Sequence, residues 1–282
     1  MSSFILLLGI GIALFGFALR SFAHPVIRKL GGATLLIALG LILANVTGSI
    51  FLGIALALGW PLMVQPWLAI LTQVRPMRLP LRKTLRFKTP PPEEELPALE
   101  QLSGEILDTG FQFTNDTGWD WENFTQFFRL FSNVPGRTQA RLCVNQMEGI
   151  YLYYITLASW TRDGTIWLTT NDIWTSSNDL FSYGLVAHPG SRVNRHIHAR
   201  SFEDLLESHR QFLESNGVTT ADLAELDQDE AMGQIEGEMT NQLRHNLKIG
   251  LLEKITEEEV RYSVKGLFYI WAQALKDMLR VV

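Results

Sequence analysis

Three runs near the start of the chain, residues 4–19, 30–46 and 50–71, are apolar on every side. A helix on the surface of a soluble protein keeps a polar face. These runs keep none, and each is near or inside the length of about 17–25 residues that crosses a hydrocarbon core. They predict three membrane spans, with Thr47-Gly48-Ser49 as a tight turn between the second and third and with Pro61 and Pro66 kinking or ending the third. A two-span alternative joins residues 33–58 into one tilted helix and lays Trp60 and Trp67 at the interface. Ser21-Phe22-Ala23 has the form of a signal cleavage site, but Met1-Ser2-Ser3 lacks a basic n-region and Arg20 crowds the cut, so retention is expected.

Beyond residue 92 the pattern changes to mixed α and β. Leu96, Leu99, Leu102, Ile106 and Leu107 recur at helical spacing, predicting a helix near 94–108 that Gly110 stops. A short strand is read at 111–114. Trp121, Phe124, Phe127, Phe128 and Phe131 also fit a helical stripe, and that segment is read as helix. Strands follow at 139–146, 150–160 and 165–170, the last two joined by the hairpin signal Asp163-Gly164. In 150–160 both alternating faces are apolar, as in a central strand covered on each side. Residues 171–190 read as a long loop, and 193–199 as another strand. Ser201 caps a helix running to Ser215, with Phe202, Leu205, Leu206, His209, Phe212 and Leu213 on its apolar side. Residues 219–249 read as mostly helical, 250–263 as a small hairpin, and 267–282 as a last helix, which packs on the domain or lies on the membrane surface.

The predicted fold is therefore a membrane-anchored α+β protein. Transmembrane helices (1–74) lead through a basic, Pro-rich linker (75–92) to a soluble domain (93–218), in which helices flank a small antiparallel sheet, and to a helical C-terminal region (219–282).

Charge orients this arrangement. The 282-residue chain has a net charge of −5, yet residues 1–92 hold nine basic side chains and no acid, leaving −14 for the remainder. Basic loops stay on the cytoplasmic side. Three spans put both the 20–29 loop and the 75–88 run there, with the soluble domain in the cytoplasm and the plasma (inner) membrane as the expected location. Arg75, Arg78, Arg82, Lys83, Arg86 and Lys88 are then placed to contact anionic lipid headgroups. The acidic rear argues against broad nucleic-acid binding.

Motifs for chemistry are sparse. The single cysteine, Cys143, excludes an internal disulfide and sits in an apolar strand, as a buried thiol would. No Gly-x-Ser-x-Gly elbow, phosphate loop or dinucleotide glycine pattern occurs, and the spans hold no ionisable side chain. His196 and His198, with Asp204 and His209 on the following helix, are the candidate metal ligands, since a zinc or iron site needs three or four converging donors. Arg192, Arg195 and Arg200 make the same face positive, which disfavours a cation and suits an anion or acidic peptide. Thr169, Thr170, Asn171 and Asp172 form a second candidate at a strand end.

Residues 250–266 resemble the wing of a winged-helix module, with Gly-Leu-Leu before the turn and Tyr-x-x-x-Gly after it. The resemblance implies a tethered DNA-binding regulator. The preceding helix, however, carries Asp229, Glu230, Glu236 and Glu238 where a recognition helix is basic. The leading expectation is a membrane-tethered interaction or assembly module for a protein or small molecule, needing no cofactor. The alternative is a membrane-bound hydrolase or metal-dependent enzyme using His196, His198 and His209.

Overall fold

A computed structural model describes residues 3–22, 25–60, 64–147, 149–172 and 186–281. The chain divides into two units, one of residues 1–77 with 262–282 and one of residues 78–261.

In the first unit α2 (Pro25–Thr47) packs against both α1 (Ser3–Arg20) and α3 (Ile50–Gly59). Gly48 turns the chain with φ +72°, and the Ser49 hydroxyl caps α3 by accepting from the Leu52 amide at 3.4 Å. Small residues make the contacts. A Cβ on Gly53 would lie 2.4 Å from the Ala44 nitrogen, and one on Gly16 would lie 3.1 Å from the Gly31 carbonyl oxygen. Gly40 faces Ala57 in the same way, at 3.6 Å. Two small-xxx-small pairs, Gly40/Ala44 and Gly53/Ala57, thus bring the α2 and α3 backbones together. The large side chains Phe4, Leu7, Leu14, Phe15, Phe17 and Phe51 are turned outward.

Among the described residues one helix has a window long and apolar enough to cross a membrane, Leu30–Thr47 within α2. Of the third predicted span the described residues are helical on both sides of residues 61–63. At ten residues, α3 is about 15 Å long. Pro61 lies outside the described residues. Residues Gln65–Ala69 form α4, with Pro66 in its first turn, which passes into a π-helical turn, Ile70–Val74, whose wide bond joins the Arg75 amide to the Ile70 carbonyl at 2.9 Å. The C-terminal α8 (Val264–Val281) belongs to this unit. The Trp67 ring lies 4.7 Å from Phe268 and 6.4 Å from Trp271.

The second unit is built on a seven-stranded sheet: β2 (Arg86–Phe87), β3 (Gln112–Trp121), β4 (Phe124–Asn133), β5 (Thr138–Met147), β6 (Ile150–Trp160), β7 (Ile166–Thr170) and β8 (Ser191–Arg195), in that spatial order. Neighbours run antiparallel except β7 and β8, which are parallel, so the sheet is larger than predicted and mixed. The segment read as an aromatic helix is in fact the end of β3 and most of β4. Its helix-like spacing arises because both faces of β4 are covered. Phe127 and Phe131 enter the core beneath α5 (Ala98–Asp108) and α6 (Phe202–Ser215), while Phe124 and Phe128 enter the opposite core beneath α7 (Ala231–Lys248). Two superposed period-2 faces place apolar residues at i, i+3 and i+4 as a helix does.

Residues 78–92 of the predicted linker are part of this unit. Leu79 and Leu85 are buried, β2 edges the large sheet, and β1 (Leu79–Pro80) joins β10 (Glu259–Tyr262) and β9 (Leu252–Lys254) in a three-stranded sheet ordered β1-β10-β9. Most of the predicted 171–190 loop, residues 173–185, lies outside the described residues, as do Ala23 of the cleavage-like tripeptide and Glu148 of the turn between β5 and β6.

Candidate functional site

The site is built from the face of the large sheet that α7 covers. Register aligns side chains across four strands there: Arg141 of β5 lies opposite Thr156 of β6, Thr156 opposite Thr170 of β7, and Thr170 opposite Arg195 of β8. One row away, Phe128, Cys143 and Tyr154 align in the same manner. Ile235, Glu238, Met239 and Gln242, spaced along one face of α7, close the other side. Between them is a cavity of about 220 Å³, also lined by Gln126 and Asp172.

The main electrostatic feature is a buried fork. Arg141 Nη1 and Nη2 donate to the two Glu238 carboxylate oxygens at 2.6 and 2.7 Å, and its Nε donates to Gln139 Oε1 at 2.7 Å. Burial works against the Arg141 charge. The adjacent Glu238 carboxylate outweighs it and holds the guanidinium above the ordinary arginine value. Burial also pushes the Cys143 thiol up to about 12, so it stays protonated and is a poor nucleophile at neutral pH. Thr156 donates to Thr170 Oγ1 at 3.1 Å, and that hydroxyl donates onward to the Ile155 carbonyl at 3.0 Å and accepts from the Asp172 amide at 3.2 Å. Gln126 links the Trp119 indole, whose N–H it accepts at 2.7 Å, to the Tyr154 hydroxyl at 3.5 Å. The Gln242 amide holds the far end of the β7–β8 connection, accepting from the His188 amide at 2.9 Å and donating to the Val186 carbonyl. The lining supplies shape, fixed hydrogen-bonding groups, the Arg141–Glu238 charge pair and two further charged side chains, Asp172 and Arg195.

The four predicted metal ligands do not come together. The strand ends at Arg195, so the His-x-His alternation is lost. His196 and His198 lie in a turn closed by the Ala199 amide on the His196 carbonyl at 3.1 Å, with His198 exposed. Asp204 serves the helix start: its Oδ2 accepts from the Arg200 amide, and its own amide donates to the Ser201 hydroxyl, both at 3.1 Å. His209 is 1% exposed on the opposite face of the sheet, its Nδ1 paired with Thr169 Oγ1 at 2.9 Å and its Nε2 with Ser159 Oγ at 3.1 Å. Burial lowers its pKa to about 4. Among the described residues no group of three or more His, Cys, Asp and Glu is arranged to hold a metal ion. The Ser159–His209 pair is equally shut away, since Ser159 is fully buried.

The six cations of residues 75–88 also separate. Lys83 is buried, with its Nζ 4.1 Å from the Trp119 ring centroid, and burial takes its pKa well below the lysine norm. Lys88 pairs with Asp120, and Arg78 pairs with Glu259 at 3.1 Å. Arg75, Arg82 and Arg86 are exposed. Three of the six, Arg78, Lys83 and Lys88, are thus engaged by side chains of the α+β unit. On the winglike hairpin, Arg261 Nε donates to Glu253 Oε1 at 2.7 Å.

Sequence reasoning named Thr170 and Asp172 but missed Arg141 and Glu238. The available signal was an arginine inside the apolar run Ala140–Val144, where a charge needs a partner. Comparison of the chain with protein-family models, with curated proteins and with solved structures finds no match.

Proposed function

We propose that this chain is a membrane-anchored binding module. Its N-terminal helices sit in the inner membrane, and its α+β unit, on the cytoplasmic side, holds a small molecule or a partner's side chain in the cavity between the sheet and α7. The observation that carries the binding role is the lining itself: a bidentate Arg141–Glu238 pair at a cavity also lined by Asp172 and Arg195, by hydroxyls and amides, and by a protonated thiol. Such groups orient a ligand, and convergent polar groups in a largely apolar pocket are the usual form of a binding site.

Support for anchoring comes from the inside-out helices. Glycine and alanine face one another while Phe, Leu and Ile face outward, the distribution favoured where the solvent is lipid. The charge division supports the orientation, since cationic loops stay inside.

The test is native mass spectrometry of the full-length chain released from membranes in mild detergent. A discrete co-purifying mass should be present on the wild type and lost on Met239→Trp, which fills the cavity. Indistinguishable spectra from two folded proteins would end the cavity reading. Recovery of the chain in the supernatant after alkaline carbonate washing would end the anchoring one.

A further inference from the structure

The C-terminal helix has two apolar sides. Leu267 and Ile270 of α8 are buried. On another side Val264 (70% exposed), Phe268 (53%) and Ala272 follow at i, i+4 and i+8, and Lys265 and Lys276 are exposed at its margins. A helix packed on a soluble core turns its polar face to water. Here the outward face carries an apolar stripe with lysines beside it, the composition of helices that lie in a bilayer interface.

The neighbours continue this surface. Phe268 stacks on Trp67 of α4 at 4.7 Å, and Val64 and Leu68, at either side of Trp67 in sequence, are exposed large apolar residues. Tryptophans concentrate at headgroup depth. Charge selects the leaflet chemistry. Residues 1–77 with 262–282 contain seven basic side chains and one acidic one, Asp277, while residues 78–261 are net −11. The unit that owns α8 is therefore complementary to an anionic lipid surface, and the acidic unit is not.

We propose that α8, with α4 and the π-helical turn, forms an interfacial membrane-binding surface. The Val264–Phe268–Ala272 stripe and Trp67 enter the acyl boundary, and Lys265 and Lys276 sit at the phosphates. This inference rests on the membrane reading above, but its test separates the two.

Single cysteines are introduced into the full-length chain at Ala272, at Ile37 of α2 and at Glu225 of the α+β unit. Each variant is spin-labelled and placed in mixed phosphatidylcholine–phosphatidylglycerol vesicles, and wild type reports any labelling of Cys143. Collision with oxygen, relative to a water-soluble nickel complex, reads depth. The ratio at Ala272→Cys should be several-fold above that at Glu225→Cys and below that at Ile37→Cys. A water-like ratio at Ala272→Cys with a lipid-like ratio at Ile37→Cys overturns the interfacial helix and leaves the anchor standing. An immobilised label reached by neither reagent overturns it in favour of a protein partner or a second copy. Water-like ratios at both positions remove the membrane reading as well.

Discussion

The Arg141 guanidinium and the Glu238 carboxylate meet in two parallel hydrogen bonds, 2.6 and 2.7 Å long, although 97 residues separate them in the chain. The pair ties the middle of the large sheet to α7, so it fixes the depth of the cavity. Removing one partner leaves the other charge buried, which costs about 3–5 kcal/mol in comparable sites. Glu238→Gln and Arg141→Met should each lower unfolding stability on that scale. The double variant Arg141→Met/Glu238→Leu should lose much less than the two single losses combined. Denaturant unfolding of the full chain in detergent, followed by near-ultraviolet dichroism, measures both, and additive losses would show that the pair is not coupled.

His209 gives the fold a pH dependence of definite sign. Its folded pKa, about 4, lies below the ordinary 6.5 because it is buried. The unfolded chain therefore takes up the proton first as pH falls. The resulting stability is present above pH 6.5 and is lost on the way down to pH 4, by about 2 kcal/mol between pH 7 and pH 5. His209→Gln keeps a polar side chain between Ser159 and Thr169 but does not titrate. Unfolding midpoints measured at both pH values should converge for this variant relative to wild type. An unchanged pH slope would assign the dependence to other groups.

How much of this was legible in the sequence follows from which contacts are local. Strand β6 and the α6 cap were readable because Asp163-Gly164 and Ser201 act within a few residues of themselves. The apolar stripe of α6 already put His209 on its inward side, which is incompatible with a shared site with an exposed His198. Strand β4 was not readable. Burial on both faces erased the alternation that separates strand from helix. The Arg141–Glu238 contact was equally hidden, since no local pattern pairs a strand residue with a helix so distant in the chain. The cationic run was read correctly as charge but not as structure, because the burial of Lys83 depends on Trp119, which a different strand supplies.

Packing of the apolar helices predicts a position-specific response. A side chain at Gly53 meets backbone, with Ala44 nitrogen at 2.4 Å and its Cα at 2.6 Å, so the helices must separate to admit it. Gly53→Leu should destabilise the α2–α3 hairpin by about 1–3 kcal/mol or more. Gly11, with nothing within 4 Å of an added Cβ, should accept alanine with little change. Thermal aggregation of the two variants in the same detergent, followed by gel filtration, reads the contrast. Equal behaviour would mean that the small-residue contact is not what joins these helices.

Cys143 offers a probe of the α+β unit that needs no new residue. The thiol is 2% exposed, and its pKa is raised to about 12 by burial, whereas an unfolded thiol titrates near 8.5. At pH 8 the thiolate fraction should differ between folded and unfolded chains by about three orders of magnitude before access is considered. Alkylation by iodoacetamide should therefore be negligible in the native protein and rapid in denaturant. Because Cys143 also lines the cavity, the residual native rate should follow opening of the sheet–α7 contact. Glu238→Gln, which breaks the Arg141 fork across that contact, should raise the rate at least tenfold. Met239→Trp, which fills the space above the thiol, should lower it. If Cys143 is alkylated in the wild type as fast as an exposed cysteine, the cavity is open to solvent at its floor. Neither the thiol's pKa nor the binding role built on that lining would then survive.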